Sequence, residues 1–246
     1  MQHTDKSLQR KVNFLLYYAV ISTSIFLVFI LSSFVGKDKN LTADEITVKR
    51  ITVVGEDNLP RMVLSNETRQ HSGRMEGKEF PKRERPAGII FFTNKGDECG
   101  GIVAATTAKD GSVNHGMSFT MDNYHDDQVI QLLNDETYEN GKAEVSRGLM
   151  FNEYPVGSNL NDRMAKTEEL KKIADPKERE AKIGELWDKE GAKRRMFIGR
   201  NVNADAGVFL YDAKGKPKMK IYVDKAGNPK IEVRDSTGKY KNIIQQ

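Results

Sequence analysis

An uncharged segment near the N-terminus constrains the fold of this chain more than any other feature. Residues 12–35 contain no Asp, Glu, Lys or Arg. A helix of these 24 residues is about 36 Å long at 1.5 Å per residue, which exceeds the roughly 30 Å hydrocarbon core of a bilayer. The sequence therefore predicts one membrane-spanning anchor helix over 12–35, in contact with the lipid bilayer. Its expected membrane-facing side chains are Phe14, Leu15, Leu16, Tyr17, Tyr18, Ile21, Ile25, Phe26, Leu27, Phe29, Ile30 and Leu31.

A cleaved secretory signal is the alternative interpretation of this segment, because Lys6, Arg10 and Lys11 precede it. The apolar region of a signal is about 7 to 15 residues long and ends in a small-x-small cleavage site. The segment is longer than that, and its exit over 32–36 places Phe34 where a small residue is needed. We therefore expect the helix to remain uncleaved.

The basic residues that flank the segment favour one orientation. Three precede it, whereas only Lys37 and Lys39 follow it closely. The cytoplasmic flank of a membrane helix usually carries the excess of Lys and Arg. We therefore expect a short basic cytoplasmic N-terminus over 1–11, a linker over 36–45 and an extracytoplasmic domain over 46–246.

The composition of the chain excludes some classes of function. The net charge is +4, from 39 basic and 35 acidic side chains among 246 residues, so no strongly basic surface for nucleic acid is expected. Cys99 is the only cysteine, so an intramolecular disulfide is impossible. The sequence has no nucleotide-binding, zinc-helix or nucleophile-elbow motif, and we expect no cofactor.

A unit made of a turn and a strand repeats near the C-terminus. The repeats begin at Asp212, Asp224 and Asp235, which are 12 and 11 residues apart, and Gly stands three residues after each Asp. Asp accepts hydrogen bonds from the backbone of a turn, and Gly adopts the positive φ of a bulged hairpin. In the first two repeats a Pro follows at the start of the strand, where no ladder donor is needed. The spacing leaves no room for a helix and predicts an antiparallel meander.

Alternation along the strands predicts which side chains the domain buries. Met219, Ile221 and Val223 alternate with Lys220 and Tyr222, which predicts a buried face and a solvated face. Apolar runs that follow Gly recur through the domain, and the whole pattern predicts about twelve short strands. The expected fold is mainly β, arranged as a sandwich, a barrel or a β-solenoid-like stack.

Residues 162–191 interrupt the strand pattern and predict a helical hairpin. Asp175 is a suitable N-cap, Pro176 fits the first helical position, and Glu178 completes the start signal. Gly191 fits a helix stop. We expect this insertion to pack as a lid on the sheet, and a surface that docks a partner is the alternative.

The segment from residue 114 to 127 contains the densest group of possible metal ligands. Two imidazoles and three carboxylates suit a divalent cation, and a metal-bound water can act as a nucleophile. Their spacing matches no established ligand motif, and a solvated hairpin loop between two strands is the simpler explanation. The candidate ligands are His115, Asp122, His125, Asp126 and Asp127.

A basic segment over 69–85 is a candidate contact for anionic headgroups or for an acidic partner. Glutamates are interspersed in it, and Gly and Pro favour a long loop, so a solvated loop is the alternative. The candidate contact residues are Arg69, Arg74, Lys78, Lys82, Arg83 and Arg85.

The anchor, the repeated strand unit and the lack of a catalytic motif favour a non-enzymatic, membrane-tethered binding or assembly module. Such a module acts through a protein partner or through self-association. A metal-dependent hydrolase that uses the cluster from His115 to Asp127 is the first alternative. A trimeric, fibre-like β-stack is the second, because short punctuated strands can wind around neighbouring chains.

Overall fold

The computed structural model describes residues 2–34 and 40–244. The chain divides into two units, residues 1–47 and residues 48–246. Residues 35–39, which include the end of the expected anchor and the start of the expected linker, lie outside the described residues.

The first unit contains helix α1, Gln2–Phe34. The most apolar 18-residue window of its segment Lys6–Ser32 has a mean hydropathy of 2.4, and no residue of that window is buried. The helix is therefore long and apolar enough to cross a membrane, as predicted. Ser22 and Ser32 donate hydrogen bonds to carbonyl oxygens three residues earlier, so their hydroxyls are satisfied within the helix.

The second unit is built around β-strands, which make the protein mainly β, as predicted. Between the strands lie a 3₁₀ turn, Glu67–Arg69, and two helices, α2 (Leu160–Leu170) and α3 (Pro176–Glu190). The strands are β1 (Arg50–Val54), β2 (Pro60–Ser65), β3 (Arg74–Met75), β4 (Lys78–Glu79), β5 (Ala87–Phe92), β6 (Glu98–Lys109), β7 (Ser112–Asp122), β8 (Gln128–Glu139), β9 (Lys142–Glu153), β10 (Lys193–Arg200), β11 (Ala206–Tyr211), β12 (Pro217–Val223), β13 (Pro229–Arg234) and β14 (Tyr240–Asn242).

Twelve of these strands form one antiparallel sheet in the order β1-β2-β5-β6-β7-β8-β9-β10-β11-β12-β13-β14, and β3 and β4 form a separate small hairpin. Each strand of the large sheet therefore pairs with its neighbours along the chain, as expected of a meander. The sheet has β1 and β14 at its two edges, so it is open rather than a closed barrel. Its first strand begins at Arg50, four residues after the expected start of the domain at residue 46.

The repeated turns have the bonding that the sequence predicts. The carboxylates of Asp212, Asp224 and Asp235 each accept two backbone N–H bonds, from the residues two and four positions later. The glycines of these turns have φ between +73° and +88°. Two bonds between backbone groups also close each of these turns, and the equivalent two bonds close the turns that begin at Gly55, Thr93, Asn123 and Asn201.

The predicted helical hairpin is present as α2 and α3. Asp175 caps α3 by accepting a bond from the N–H of Lys177, and Gly191 ends it by donating to the carbonyl of Trp187. α2 begins at Leu160, with Asn159 as its N-cap, two residues before the predicted start. Leu160 of the hairpin donates its N–H to the carbonyl of His125, which attaches the hairpin to the turn between β7 and β8.

Small clusters of buried side chains lie on one face of the sheet, which we call the covered face. One cluster is Val63, Ile90 and Phe92, and the segment between β2 and β5 crosses it. His71 of that segment is buried and its ring lies 4.7 Å from the ring of Phe92. A second cluster consists of Phe197, Phe209 and Tyr222 on β10, β11 and β12.

Glycines on the covered face let adjacent strands approach closely. Gly148 pairs with Gly199, which pairs with Gly207 on the next strand. A Cβ added to Gly199 would lie 2.1 Å from the carbonyl oxygen of Arg147, and one added to Gly207 would lie 2.1 Å from that of Ile221. Only residues without a side chain permit this close approach of adjacent strands.

Candidate functional site

The face of the sheet opposite the covered face carries two continuous rows of apolar residues, which we call the apolar face. Every member of a row lies directly opposite the next member on the neighbouring strand, so all point to the same side. The first row, from β1 to β13, is Ile51, Leu64, Ile89, Ile102, Phe119, Leu132, Leu149, Ile198, Val208, Ile221 and Ile231. The second row is Val53, Met62, Phe91, Gly100, Met121, Ile130, Phe151, Met196, Leu210, Met219 and Val233.

The apolar face is open to solvent in the single chain. Apart from Gly100, no residue of either row is buried. Leu132 stands in the middle of the first row and is 56 % exposed, and Ile221 is 44 % exposed. Within residues 40–244, no helix or loop covers these rows.

This exposure corrects the expected direction of burial in the C-terminal strands. The alternation correctly places Ile221 and Val223 on the opposite face of the strand from Tyr222. The expected burial of Ile221 and Val223 is wrong, because the structure buries Tyr222 and leaves the other two exposed. The reason is that the aromatic rings of Tyr222, Phe209 and Phe197 pack against one another over the glycines of the covered face. The apolar side chains of the opposite face have no such cover.

A polar network borders the apolar face on β8 and β9. Arg147 donates to Asn134 at 2.6 Å and to Glu136 at 2.9 Å. Hydrogen bonds from Tyr138, Asn134 and Arg147 lower the pKa of Glu136 to about 2. The carboxylate is therefore charged and paired with Arg147, and Arg200 lies opposite Arg147 on β10 at the same border.

A second candidate site is a cavity of about 680 Å³ between the segment 75–86 and the helical hairpin. Asp122, Asp127 and Glu98 line it. Burial, together with the charges of Glu98 and Asp127, raises the pKa of Asp122 to about 7, and burial also raises the pKa of Asp127. One oxygen of Asp122 is buried without a hydrogen-bond partner. Arg85 neutralises Glu98 through two bonds of 2.7 Å.

The five predicted metal ligands do not converge. His115 shares a 2.8 Å hydrogen bond with Thr106 of the neighbouring strand. It precedes Asp122 by about seven residues along β7, so the two side chains lie far apart. His125 lies 3.3 Å from Glu76. In the part of the chain that the structure describes, no three His, Cys, Asp or Glu side chains are arranged to hold a metal ion.

Asp126 has a structural partner instead. Its carboxylate and the guanidinium of Arg163 are both fully buried and form a two-bond ion pair. Ser158 donates to the same carboxylate, and Arg163 also donates to the carbonyl of Glu190 at 3.1 Å. The guanidinium lies 4.8 Å from the ring centre of Trp187. These contacts attach α2 and α3 to the turn between β7 and β8.

The predicted basic contact residues separate into two groups. Arg74 and Arg85 form internal ion pairs with Asp97 and Glu98, with both partners mostly covered. The remaining members are exposed or form bonds at the surface: Arg69, Lys78, Lys82 and Arg83. The structure therefore does not present all six side chains as one basic patch.

Comparison of the chain with models of known protein families found no matching family, and comparisons with curated proteins and with solved structures found no match. Function is therefore inferred from the geometry of the described residues.

The sequence contains the signal for the apolar face but not for its exposure. Apolar residues at every second position, as in Met219, Ile221 and Val223, mark one face of a strand. Their alignment into rows across eleven strands depends on the register of every hairpin, and the identity of the uncovered face depends on where the segment between β2 and β5 packs.

Proposed function

We propose that the chain is a single-pass membrane protein whose β domain is a non-enzymatic assembly module that binds a protein partner on the apolar face. The observation that supports this proposal most strongly is the pair of uncharged rows. They extend across eleven strands without a polar side chain, and apart from Gly100 none of their members is buried.

A partner is required because such a surface is unfavourable in water. Removing apolar surface from water contributes about 25 cal/mol per Å². Monomeric proteins rarely expose a contiguous apolar patch larger than a few hundred Å². Each strand contributes two members to the rows, so the patch grows with every strand added to the meander. Binding of a partner over the apolar face would remove this surface from water and so gain a free energy of burial that the isolated chain cannot.

The apolar helix α1 supports a permanent tether. The tether would hold the domain at a membrane surface with its N-terminus in the cytoplasm, as the flanking basic residues favour. Confinement to a membrane raises the effective concentration of partners in that membrane. An assembly module gains affinity from this confinement without further contacts.

The binding proposal is tested by placing one charge on the apolar face. Leu132→Asp introduces a carboxylate at the centre of the first row, where a bound partner would have to bury it. Thr107→Asp introduces the same charge at an exposed position of the other face, on β6, and is the matched control. The full chain is extracted from its native membrane in a mild detergent, and its native size is compared between variants.

The wild type and Thr107→Asp are expected to migrate as a complex larger than one chain, and Leu132→Asp as a single chain. If the wild type and Leu132→Asp have the same native size, whether that of one chain or that of a complex, the result would contradict binding through this face.

The orientation is tested by protease digestion of intact cells that carry the full chain. We expect digestion of the β domain and protection of residues 1–11. Protection of the β domain together with cleavage of the N-terminus would reverse the proposed orientation, although it would leave the binding proposal unaffected.

A further inference from the structure

We infer that the partner on the apolar face is a second copy of this chain, so that two sheets pack face to face as the two layers of a β-sandwich. This inference rests on the proposed binding function and names the occupant of the face. It follows from the area, the chemistry and the border of the two rows.

The area of the apolar face fits a stable pair. Eleven residues in a row are separated by ten inter-strand steps of about 4.8 Å, which makes the row about 48 Å long. The two rows lie two residues apart on each strand, and with their side chains they form a strip about 14 Å wide. One strip therefore covers about 700 Å², and a pair of copies would bury about 1,400 Å², which is the size of a standard specific interface.

The chemistry of the strip matches a second strip of the same kind. All 22 positions are aliphatic, aromatic, Met or Gly, so any partner must offer an uncharged surface of similar length. The inner faces of a β-sandwich are built in this way, with side chains from two sheets interdigitated about 10 Å apart. The chain itself supplies such a surface in every copy.

The border of the strip does not resemble a lipid-facing surface. The charge of Arg147 is paired with Glu136, and Arg200, opposite Arg147 on β10, donates to the backbone carbonyl of Val145. Lipid-facing sheets are flanked by belts of Trp and Tyr. The single tryptophan, Trp187, lies on α3 instead, and only Tyr138 borders the strip on β8.

The geometry of a symmetric pair predicts which residues meet. When two identical sheets pack face to face, their twofold axis lies in the plane between them. Leu132 is the sixth of eleven residues in the first row. An axis through the middle of the apolar face and parallel to the strands places Leu132 beside Leu132 of the second copy, whereas an axis parallel to the rows places it beside Ile130 of the second copy.

The inference is tested with the full chain in a Cys99→Ser background, reconstituted in lipid nanodiscs. Leu132→Cys is expected to form a chain-to-chain disulfide under mild oxidation, and Asp135→Cys, exposed on the other face of the same strand, is the control that should not. The wild type is expected to have twice the chain mass of 27.8 kDa. Leu132→Asp should weaken self-association by about 100-fold or more, because each pair would bury two unpaired carboxylates.

A dimer whose Leu132→Cys variant cross-links, and whose Leu132→Asp variant dissociates, supports the inference. A single chain, three copies, or a dimer that Leu132→Asp leaves intact, as association through α1 alone would give, overturns it. A native-membrane complex that Leu132→Asp disrupts but that contains one copy of this chain overturns the inference while the proposed binding function stands.

Discussion

The buried ion pair between Arg163 and Asp126 makes a sharp prediction about the stability of the helical insertion. Replacing Arg163 with Met keeps an apolar chain of similar length but leaves the Asp126 carboxylate without its cation. Breaking a buried pair from one side usually costs about 3 to 5 kcal/mol. The carboxylate would keep the Ser158 hydroxyl and the N–H of Asp127 as donors, so we expect the lower end, about 3 kcal/mol.

The pH dependence of this loss follows from the pKa of Asp126. Burial raises this pKa, but the bonds from Arg163 and Ser158 outweigh burial and hold it below the usual value of 3.8. The wild type therefore gains stability from the pair above about pH 4 and loses it as the pH falls through the lowered pKa. In Arg163→Met the same carboxyl should have a raised pKa, so the difference from the wild type should shrink as acid protonates Asp126.

The assay is denaturant unfolding of the full chain in detergent, followed by the emission of the single tryptophan, Trp187, which lies beside Arg163. At about 2 kcal/mol per M of urea, the expected loss shifts the midpoint by roughly 1.5 M. The double variant Arg163→Met, Asp126→Asn removes the unpaired charge and should recover at least about 1 kcal/mol. A loss below about 1 kcal/mol for the single variant, or no recovery in the double variant, would refute this account of the pair.

Three further predictions concern other parts of the domain. Asp122→Asn should stabilise the protein by about 2 kcal/mol at pH 8. The raised pKa of about 7 corresponds to a loss of about 4 kcal/mol from the wild type as the pH rises from 3.8 through 7, and solvent screening reduces this loss by about half. Thermal unfolding at pH 8 and pH 3.5 checks this, and an equal gain at both pH values would contradict it. Gly199→Ala should destabilise the protein by about 3 kcal/mol, because its Cβ would meet the Arg147 carbonyl. Gly184→Ala, with open space around it in α3, should stabilise the protein by about 0.5 to 1 kcal/mol. Changes in melting temperature of the same sign for both variants would be inconsistent with the packing described. Metal analysis of the full chain should find no stoichiometric divalent ion, and an ion that is retained by the wild type but lost in Asp122→Ala, His125→Ala would favour the hydrolase alternative instead.

Local features of the fold could be predicted from the sequence because they depend on residues close in the chain. The turn at Asp224 needs only its carboxylate and Gly227, which the structure gives a φ of +88°. The start of α3 needs only Asp175 and Pro176. The apolar helix depends on composition over one segment. The described residues confirm the turn, the start of α3 and a helix that is long and apolar enough to cross a membrane.

The candidate sites depend on contacts between distant residues, which a single sequence does not reveal. Alternation showed that Ile221 and Tyr222 point to opposite faces, but only the packing of Tyr222 on Phe209 decides which face is covered. Asp122 acquires its raised pKa from burial and from the charge of Glu98, 24 residues earlier in the chain. Similarly, the sequence makes Asp126 a plausible metal ligand, and only the structure shows that its carboxylate pairs with Arg163.

The central claim is that a protein covers the apolar face in the native membrane, and the labelling rate of a cysteine at Leu132 tests it most directly. In a Cys99→Ser background, Leu132→Cys and Asp135→Cys occupy exposed positions on the two faces of the same strand of the isolated chain. In native membranes we predict that a maleimide labels Leu132→Cys at least about 10-fold more slowly than Asp135→Cys, and that the rates become equal after denaturation. Equal rates before denaturation would show that the face is open in the membrane and would contradict the account.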